Sequence, residues 1–415
     1  METDVLIVGG GLAGVLCAHR LGQDGFDCVL IERDRICGGV TQNTTAKITS
    51  QHGLIYHKLL KRFGPETARL YWQANEDAIA QYRNLANEIL CDFQTKDNYI
   101  YSTDIQELRA EMEALKMLGI PAEYVKDVNL PVQAVGAVCF RNQGQFHPLK
   151  LVNGLVGQLR IYENTQALEF KNDVVLTNRG NIKAKKIVIA THFPIINKHG
   201  SYFLKMYQQR SYVLALKNAE QLDGMYLGDD SDGLSFRNYG DLLLLGGGSH
   251  RTGRRSEGWH GLETFADANY PNAKIVGRWA TQDCITLDEI PYVGQYSRNT
   301  PSVYVATGFQ KWGMTTSMVA ANLLSDLVQG KENPYTKVFS PSRSILRTQL
   351  FVNGIESACN LLRPTAPRCP HLGCALKWNR EERSWDCLCH GSRFSGSGEL
   401  LDGPANGDMK KRPGS

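Results

Sequence analysis

The amino-terminal segment places three glycines between an apolar stretch and a helical pattern. Residues 4–14 read Asp-Val-Leu-Ile-Val-Gly-Gly-Gly-Leu-Ala-Gly, so Gly9, Gly11 and Gly14 follow a predicted strand and enter a predicted helix. Such glycines allow a tight turn, close approach of the backbone to a pyrophosphate, and close packing of helix on strand. The phosphates would lie at the helix N-terminus. The segment therefore predicts a dinucleotide-binding α/β fold.

A second apolar stretch supports this interpretation because it ends in an acid. Residues 28–31 predict a strand, and Glu32 and Arg33 follow it directly. An acid at this distance from the glycines binds the ribose hydroxyls in dinucleotide-binding folds. The segment thus has the expected order of strand, glycines, helix, strand and acid. This order is rare around a glycine-rich turn that has no function.

Length and charge exclude several classes of protein. A chain of 415 residues that is 42% hydrophobic can bury a large core and predicts two or three domains. Its 46 basic and 42 acidic side chains are too balanced for a nucleic-acid or anionic-membrane surface. We find no apolar stretch long enough for a membrane span and, with a first strand starting at Asp4, expect no signal peptide. We therefore expect a cytoplasmic protein with reduced scattered cysteines.

The C-terminal part of the chain has a different cysteine pattern. Two short loops, Cys-Pro-His at residues 369–371 and Cys-Leu-Cys-His at residues 387–390, each offer a cysteine and a histidine. A Rieske-type [2Fe-2S] centre needs two thiolates on one iron and two imidazoles on the other. We assign Cys369 and Cys387 to one iron and His371 and His390 to the other.

A zinc site is the alternative, because two cysteines and two histidines in paired loops also suit tetrahedral Zn²⁺. Two further cysteines, Cys374 and Cys389, and the His-Gly-Ser continuation at residues 390–392 match a Rieske pattern better than any common zinc pattern. The cluster loops therefore favour iron over zinc.

The same loops resemble Rieske proteins of the cytochrome bc type. That resemblance implies a disulfide between Cys374 and Cys389, a hydrogen bond from Ser392 to a cluster sulfide, and a covering loop at residues 403–405. Phe394 stands where such proteins often carry a tyrosine, so we expect a reduction potential below the top of the Rieske range. Because only a short segment precedes the first ligand loop, we expect the cluster loops to be buried by contacts with the rest of the protein.

Four further stretches carry a resemblance over nearly the whole chain. They are Thr44-Thr45-Ala-Lys47, Phe146-His-Pro-Leu149, Ala190-Thr-His-Phe-Pro194 and the loop at residues 308–315. With them the chain resembles the glycine/D-amino-acid oxidase (DAO) superfamily, and more narrowly the bacterial FAD oxidoreductases with a C-terminal Rieske domain. The resemblance implies FAD as the dinucleotide. It also implies an α/β Rossmann-like FAD-binding domain, an interleaved α+β substrate domain and a small, shortened all-β Rieske module.

Domain bounds follow from this assignment. We expect an FAD-dependent oxidoreductase at residues 1–345, a linker at 346–362 and the Rieske module at 363–415. The flavin part would comprise about 1–55, 145–200 and 280–335, and the substrate part about 56–144 and 201–279. Helices are predicted from Pro65 and after Asp104, and antiparallel strands between Ser211 and Gly248.

Site residues follow from the fingerprint and from the family stretches. The predicted FAD-binding residues are Gly9, Gly11, Gly14, Glu32, Arg33, Gly39, Thr41, Thr44, Thr45, Thr191, Gly308, Gly313, Met314 and Thr315. The predicted catalytic residues are Lys47, Arg237, His250 and Lys311, with Arg210 and Tyr212 as further candidates near a substrate carboxylate.

The pairing of cofactors suggests a direction of electron flow. A flavin accepts two electrons as a hydride and releases them singly, whereas a Rieske cluster carries one at a time. The resemblance implies a small organic donor, an amine or amino acid, and an unnamed one-electron partner. This favours a dehydrogenase over an oxidase.

Two other functions stay open at this point. An NAD(P)H-dependent reductase would need a nicotinamide site, and the glycine-rich residues 246–253 resemble a second dinucleotide turn. No clear helix follows them, which favours a strand end instead. The third possibility is a redox sensor whose cluster controls a binding surface.

Overall fold

The computed structural model of the chain describes residues 1–196, 199–230, 233–344 and 367–409. Its helices are α1 Leu12–Gln23, α2 Tyr56–Glu88, α3 Ile105–Leu118, α4 Pro148–Val156, α5 Tyr202–Lys205, α6 His260–Asn269, α7 Gly313–Val328 and α8 Thr336–Phe339. Its strands are β1 Glu2–Val8, β2 Cys28–Ile31, β3 Lys47–Ile48, β4 Gln94–Ser102, β5 Glu123–Val125, β6 Gly136–Gln145, β7 Arg160–Tyr162, β8 Ala167–Lys171, β9 Val174–Thr177, β10 Gly180–Ile189, β11 Met206–Lys217, β12 Gly224–Gly228, β13 Ser235–Tyr239, β14 Leu242–Arg251, β15 Lys274–Thr286, β16 Tyr292–Gln295, β17 Val303–Thr307, β18 Leu376–Asn379, β19 Ser384–Cys387, β20 Arg393–Ser395 and β21 Leu400–Asp402.

The first sheet contains the glycine turn. Its order is β16-β17-β10-β1-β2-β7, and β17, β10, β1, β2 and β7 run parallel. Val5, Leu6 and Ile7 of β1 are fully buried because helices and chain cover both faces of a parallel sheet. The strands come from three separated stretches of the chain, which confirms the interleaved α/β architecture.

The second sheet has the order β15-β11-β14-β13-β12-β4-β6-β3. β11 pairs antiparallel with both β14 and β15, as the strands predicted after Ser211 require. β14 includes Gly246, Gly247 and Gly248, with a register shift against β11 beside Gly248, and this confirms a strand in place of a dinucleotide turn. β3 pairs with β6 in this sheet, so Lys47 belongs to the second sheet although the bounds above place it in the flavin part.

The second part of α2 and all of α3 begin where the sequence predicts, whereas α2 itself starts earlier, at Tyr56. α2 is interrupted at Gly64, whose φ of 80° is not helical, and its second part begins with Pro65. α3 begins after Asp104, whose carboxylate accepts a hydrogen bond from the Gln106 backbone N–H at 2.7 Å.

The described part of the C-terminal module is a small antiparallel sheet in the order β18-β19-β20-β21. Its core combines Cys369, Cys374, Cys387 and Cys389 with Phe394. The predicted linker at residues 346–362 lies outside the described residues. In the ranges that the structure describes, no helix has the length and apolar character needed to cross a bilayer.

The glycine turn is determined by contacts between backbone atoms. Gly9 has a φ of +112°, and a Cβ there would lie 2.5 Å from the Ala190 carbonyl oxygen at the end of β10. A Cβ on Gly14 would lie 1.9 Å from the Gly9 carbonyl oxygen, so α1 can approach β1 this closely only through a glycine.

We expect Gly14→Ala to displace α1 from β1, because neither backbone can yield to the added methyl group. The thermal midpoint should fall by at least about 5 °C and the bound dinucleotide per chain should decrease. Gly22→Ala is the matched control in the same helix, since nothing lies within 4 Å of its Cβ position. The thermal midpoint of Gly22→Ala should equal or slightly exceed that of the wild type. Equal thermal midpoints in the two variants would contradict this account of the turn.

Candidate active site and metal centre

The glycine turn opens onto a cavity of about 840 Å³, which we call the turn cavity. The predicted dinucleotide-binding residues that line it are Gly9, Gly11, Glu32, Arg33, Gly39, Thr41, Thr191, Gly313 and Met314. The C-terminal module supplies part of the same wall, through Glu382, Arg393, Asp402, Gly403, Ala405 and Asn406. The turn cavity therefore lies between the first sheet and the cluster module.

Hydrogen bonds shape the end of the turn cavity nearest the glycines. Glu32 Oε2 accepts from the Gly10 N–H at 2.7 Å, and Thr41 Oγ1 accepts from the Leu12 N–H at 3.0 Å. Gly11, Leu12 and Ala13 at the N-terminus of α1 line the cavity, where the helix dipole favours a phosphate.

Three predicted dinucleotide-binding residues do not line either cavity. Gly14 packs against Gly9, as described above. A Cβ on Gly308 would lie 2.3 Å from Thr286 Cγ2, so this glycine serves close packing. Thr315 Oγ1 donates to the Thr49 carbonyl oxygen at 2.9 Å. These residues shape the chain around the cavities.

A second cavity of about 860 Å³, the sheet cavity, lies against the second sheet. Thr44, Thr45, Lys47 and Lys311 line it, as do Gly313 and Met314. Both cavities share the lining residues Val40, Asn43, Thr281, Gly313 and Met314. A long ligand that begins at the glycine turn can therefore reach the sheet cavity.

Lys47 is the most buried cation of the sheet cavity among the described lining residues. Its ammonium donates to the Tyr226 carbonyl oxygen at 2.9 Å and to Ser235 Oγ. Burial, together with the charge of Arg237, lowers the pKa of Lys47 to about 7. The side chain can therefore exchange a proton near neutral pH.

A partly buried acid, Asp283, faces the sheet cavity beside Lys311. Burial raises the pKa of Asp283 and lowers the pKa of Lys311, and the charge of each partly offsets the shift of the other. Both side chains line the cavity, and Lys311 also donates to Ser249 Oγ. Sequence reasoning assigned no role to Asp283, because a single acid within a strand carries no recognisable pattern.

Arg237 and His250 line neither cavity. Arg237 Nη1 donates to the Ala46 carbonyl oxygen at 2.9 Å behind the strand that carries Lys47. His250 stacks on Tyr212, with ring centroids 5.8 Å apart, and burial lowers its pKa. A catalytic role for either residue stays a prediction without a contact to the cavities.

Arg210 binds a carboxylate of the chain itself, in place of the substrate carboxylate suggested for it. Its Nε donates to Glu382 Oε1 at 3.0 Å, and Arg393 Nη2 donates to Glu382 Oε2 at 2.8 Å. Tyr212 also donates to Glu382, at 3.2 Å. Glu382 belongs to the C-terminal module, so this buried ion-pair network joins the two parts of the protein.

The two ligand loops of the C-terminal module meet in a buried centre. The rings of His371 and His390 are perpendicular, with centroids 5.0 Å apart. Cys369 and Cys387 are 2% and 0% exposed. The Sγ atoms of Cys374, Cys387 and Cys389 lie within 4.8 Å of one another. The predicted disulfide between Cys374 and Cys389 stays a prediction.

The donor set fits a cluster with two histidine ligands. Burial lowers the pKa of His371 to about 3 and that of His390 to about 4, so both imidazoles are neutral and able to bind a metal. The buried Nδ1 of His390 has no hydrogen-bond partner among the described residues. Ser392 Oγ accepts from the Ala405 N–H at 3.0 Å, and Ala405 is 2% exposed, as expected of a covering loop.

Comparison with known proteins identifies both parts. The family model described as FAD dependent oxidoreductase (DAO) matches residues 4–327, and the Rieske [2Fe-2S] domain model matches residues 342–413. The chain belongs to the FAD dependent oxidoreductase family. It carries a C-terminal Rieske domain, and its cofactors are FAD and a [2Fe-2S] cluster. The zinc alternative is thereby excluded.

Relatives of this family member cover most or all of its length. The Bacillus subtilis (strain 168) protein YhfW, described as a Rieske 2Fe-2S iron-sulfur protein, is 38% identical over 99% of this chain and 93% of its own. The gamma-glutamylputrescine oxidoreductase of Escherichia coli (strain K12) is 25% identical over 79% of this chain and 84% of its own. The solved structure of glycine oxidase from Geobacillus kaustophilus superposes with a TM-score of 0.69 at 20% identity and covers 83% of this chain and 99% of its own.

With FAD as the cofactor, the turn cavity beside the glycine turn is its candidate site, and further residues line the wall of this cavity. Gln208 on β11, Gln282 on β15 and His192 after β10 all line it. Sequence reasoning assigned no role to any of the three, although His192 lies in the family stretch at residues 190–194. The FAD dependent oxidoreductase domain therefore presents polar side chains to the turn cavity that only the folded arrangement reveals.

The ligand assignment makes a prediction about two neighbouring cysteines. Cys369→Ser removes an assigned iron ligand and should abolish the cluster, measured as iron per chain and as the electron paramagnetic resonance of the reduced protein. Cys374→Ser removes a member of the other pair and should retain the cluster, with a lower thermal midpoint. Loss of iron in Cys374→Ser with retention in Cys369→Ser would reverse the assignment.

Proposed function

We propose that the protein dehydrogenates an amine or amino acid in the sheet cavity and passes the electrons singly to an external one-electron acceptor. The observation that carries the proposal is the order of three compartments. The sheet cavity adjoins the turn cavity at Thr281, Gly313 and Met314, and the cluster module forms another part of the turn-cavity wall. A substrate, FAD and cluster bound in this order form a continuous route for electrons.

The reaction balances without a further reagent inside the protein. FAD accepts a hydride from a carbon–hydrogen bond and a Rieske cluster carries single electrons. The donor loses two electrons and two protons as its C–N single bond becomes an imine, which water hydrolyses to a carbonyl compound and ammonia, or an amine where the donor is a secondary amine. The two electrons leave one at a time to an acceptor protein.

The described side chains of the sheet cavity suit an amine donor. A primary ammonium group must lose a proton before its carbon can release a hydride. Lys47, with its pKa lowered to about 7, can accept that proton when it is neutral. Asp283 and Lys311 lie on the wall of the same cavity and provide a second acid–base pair able to hold a proton.

The names of two relatives support the class of donor. One is a gamma-glutamylputrescine oxidoreductase and the other a glycine oxidase, so both are named for compounds with amine groups. A nicotinamide donor has less support, because the glycine-rich residues 246–248 form the middle of β14 and enter no helix. Phosphate sites of that kind need a helix N-terminus.

We expect anaerobic addition of a matching amine or amino acid to bleach the flavin and then to reduce the cluster. Stopped-flow absorbance follows the flavin, and rapid-freeze electron paramagnetic resonance follows the cluster. NADH and NADPH should bleach the flavin far more slowly than the best amine. Fast bleaching by nicotinamides alone would overturn the proposal in favour of a reductase. No bleaching by any donor would favour a sensor.

The pKa of Lys47 predicts a pH dependence. The neutral form, which accepts the proton, predominates above pH 7, so kcat/KM should rise with pH through about 7 and then level off. Lys47→Met should lower kcat/KM about 100-fold at pH 8 and remove the inflection near pH 7. Lys58→Met, at a less buried lysine on the same cavity, is the control and should keep the inflection. An unchanged profile in Lys47→Met would exclude this lysine as the proton acceptor.

A further inference from the structure

The second ligand loop, residues 387–392, is held by side chains of the oxidoreductase domain. Four consecutive carbonyl oxygens of this loop accept hydrogen bonds from that domain. Arg251 donates to Leu388 O at 3.1 Å and to Cys389 O at 3.4 Å. Gln208 donates to His390 O at 2.6 Å, and Gln282 donates to Gly391 O at 2.9 Å. The loop therefore has a fixed position on β11, β14 and β15.

The two glutamines use all their polar atoms in this contact. Gln208 Nε2 also donates to Gly403 O at 3.1 Å, and Gln208 Oε1 accepts from Gln282 Nε2 at 2.7 Å. Gln282 Oε1 accepts from Thr252 Oγ1 at 2.9 Å. A rotation of either amide would oppose donor to donor or acceptor to acceptor. Both side chains are buried, 2% and 3% exposed, so such a mismatch would have no water to relieve it.

Packing adds to the hydrogen bonds. Gly391 has a φ of +86°, and a Cβ there would lie 2.6 Å from Gln208 Cβ, so the loop approaches this side chain as closely as a glycine allows. Both ligand histidines face aromatic rings of the oxidoreductase domain. His371 meets Phe193 edge-on at 6.5 Å between centroids, and His390 meets Phe203 at 6.1 Å.

The same glutamines form part of the FAD site. Gln208 and Gln282 line the turn cavity, whereas their neighbours Gln209 and Asp283 line the sheet cavity. Successive side chains of a strand point to opposite faces, which explains this division. One amide pair therefore touches the FAD cavity on one side and the backbone of a cluster-ligand residue on the other.

We propose that Gln208 and Gln282 are positioning residues that hold the His390 loop against the FAD cavity and thereby set the rate of electron transfer between FAD and the cluster. The inference rests on the proposed route of electrons and is independent of the donor's identity. In the step concerned, one electron leaves reduced FAD and one ferric iron becomes ferrous.

The test uses light in place of substrate. In the full-length holoprotein, FAD is photoreduced anaerobically with a sacrificial donor, and the appearance of the reduced cluster is followed by absorbance and electron paramagnetic resonance. We expect Gln208→Leu and Gln282→Leu to retain FAD and iron but to slow electron transfer at least tenfold. In Gln208→Leu the g-values of the reduced cluster should also shift, because the His390 loop loses its donor. Gln295→Leu, an exposed glutamine bonded only to the nearby Ser297 O at 2.8 Å among the described residues, is the control and should behave as the wild type.

The outcomes separate this inference from the proposed function. Wild-type transfer rates in both glutamine variants would overturn the inference, whatever the donor screen shows. Slow transfer in both variants would support it even if no amine bleaches the flavin. If both variants lose FAD or iron, Thr252→Val decides, because it removes only the hydroxyl that orients the Gln282 amide. A transfer rate lowered several-fold in Thr252→Val would support the inference, and a wild-type rate would overturn it.

Discussion

The alternation of side chains along β11 and β15 is the constraint on which the arrangement of sites depends. These neighbouring antiparallel strands form a wall with two polar faces. Gln208 and Arg210 point to the turn cavity and the cluster module, whereas Gln209 and Ser211 point to the sheet cavity. A shift of one residue in their register would exchange the two faces and move the polar side chains of these two strands to the wrong cavity.

The polar character of this wall has an energetic consequence. Arg210, Glu382 and Arg393 are each less than a tenth exposed, so their charges depend on one another and not on water. Removing one partner of such a network typically costs about 3–5 kcal/mol, because the remaining charge stays buried. The contact between the oxidoreductase domain and the cluster module is thus intolerant of partial separation, unlike a contact made of apolar side chains alone.

Local patterns of the sequence predicted the fold and the cofactors. Some features can be recognised from a few neighbouring residues, and the structure places each of them where it was expected. They are the glycine turn with Glu32, the two Cys-His loops, Pro65 and Asp104. The roles of the other site residues depend on contacts between residues that are far apart in the sequence. Arg210 was a plausible clamp for a substrate until Glu382, 172 residues away, proved to be its partner. Gln208, Gln282 and Asp283 belong to no assigned motif, and only the pairing of β11 with β15 brings them to the cavities.

The composite wall of the turn cavity also bears on how the protein is assembled. The ribosome completes the glycine turn among the first residues and the module residues Glu382, Arg393 and Asp402 near the end. Throughout synthesis of the oxidoreductase domain, the turn cavity therefore lacks one side. We expect tight retention of the flavin only once the C-terminal module has folded, and we expect maturation of the iron centre to promote it, because the module that binds iron also supplies the missing side.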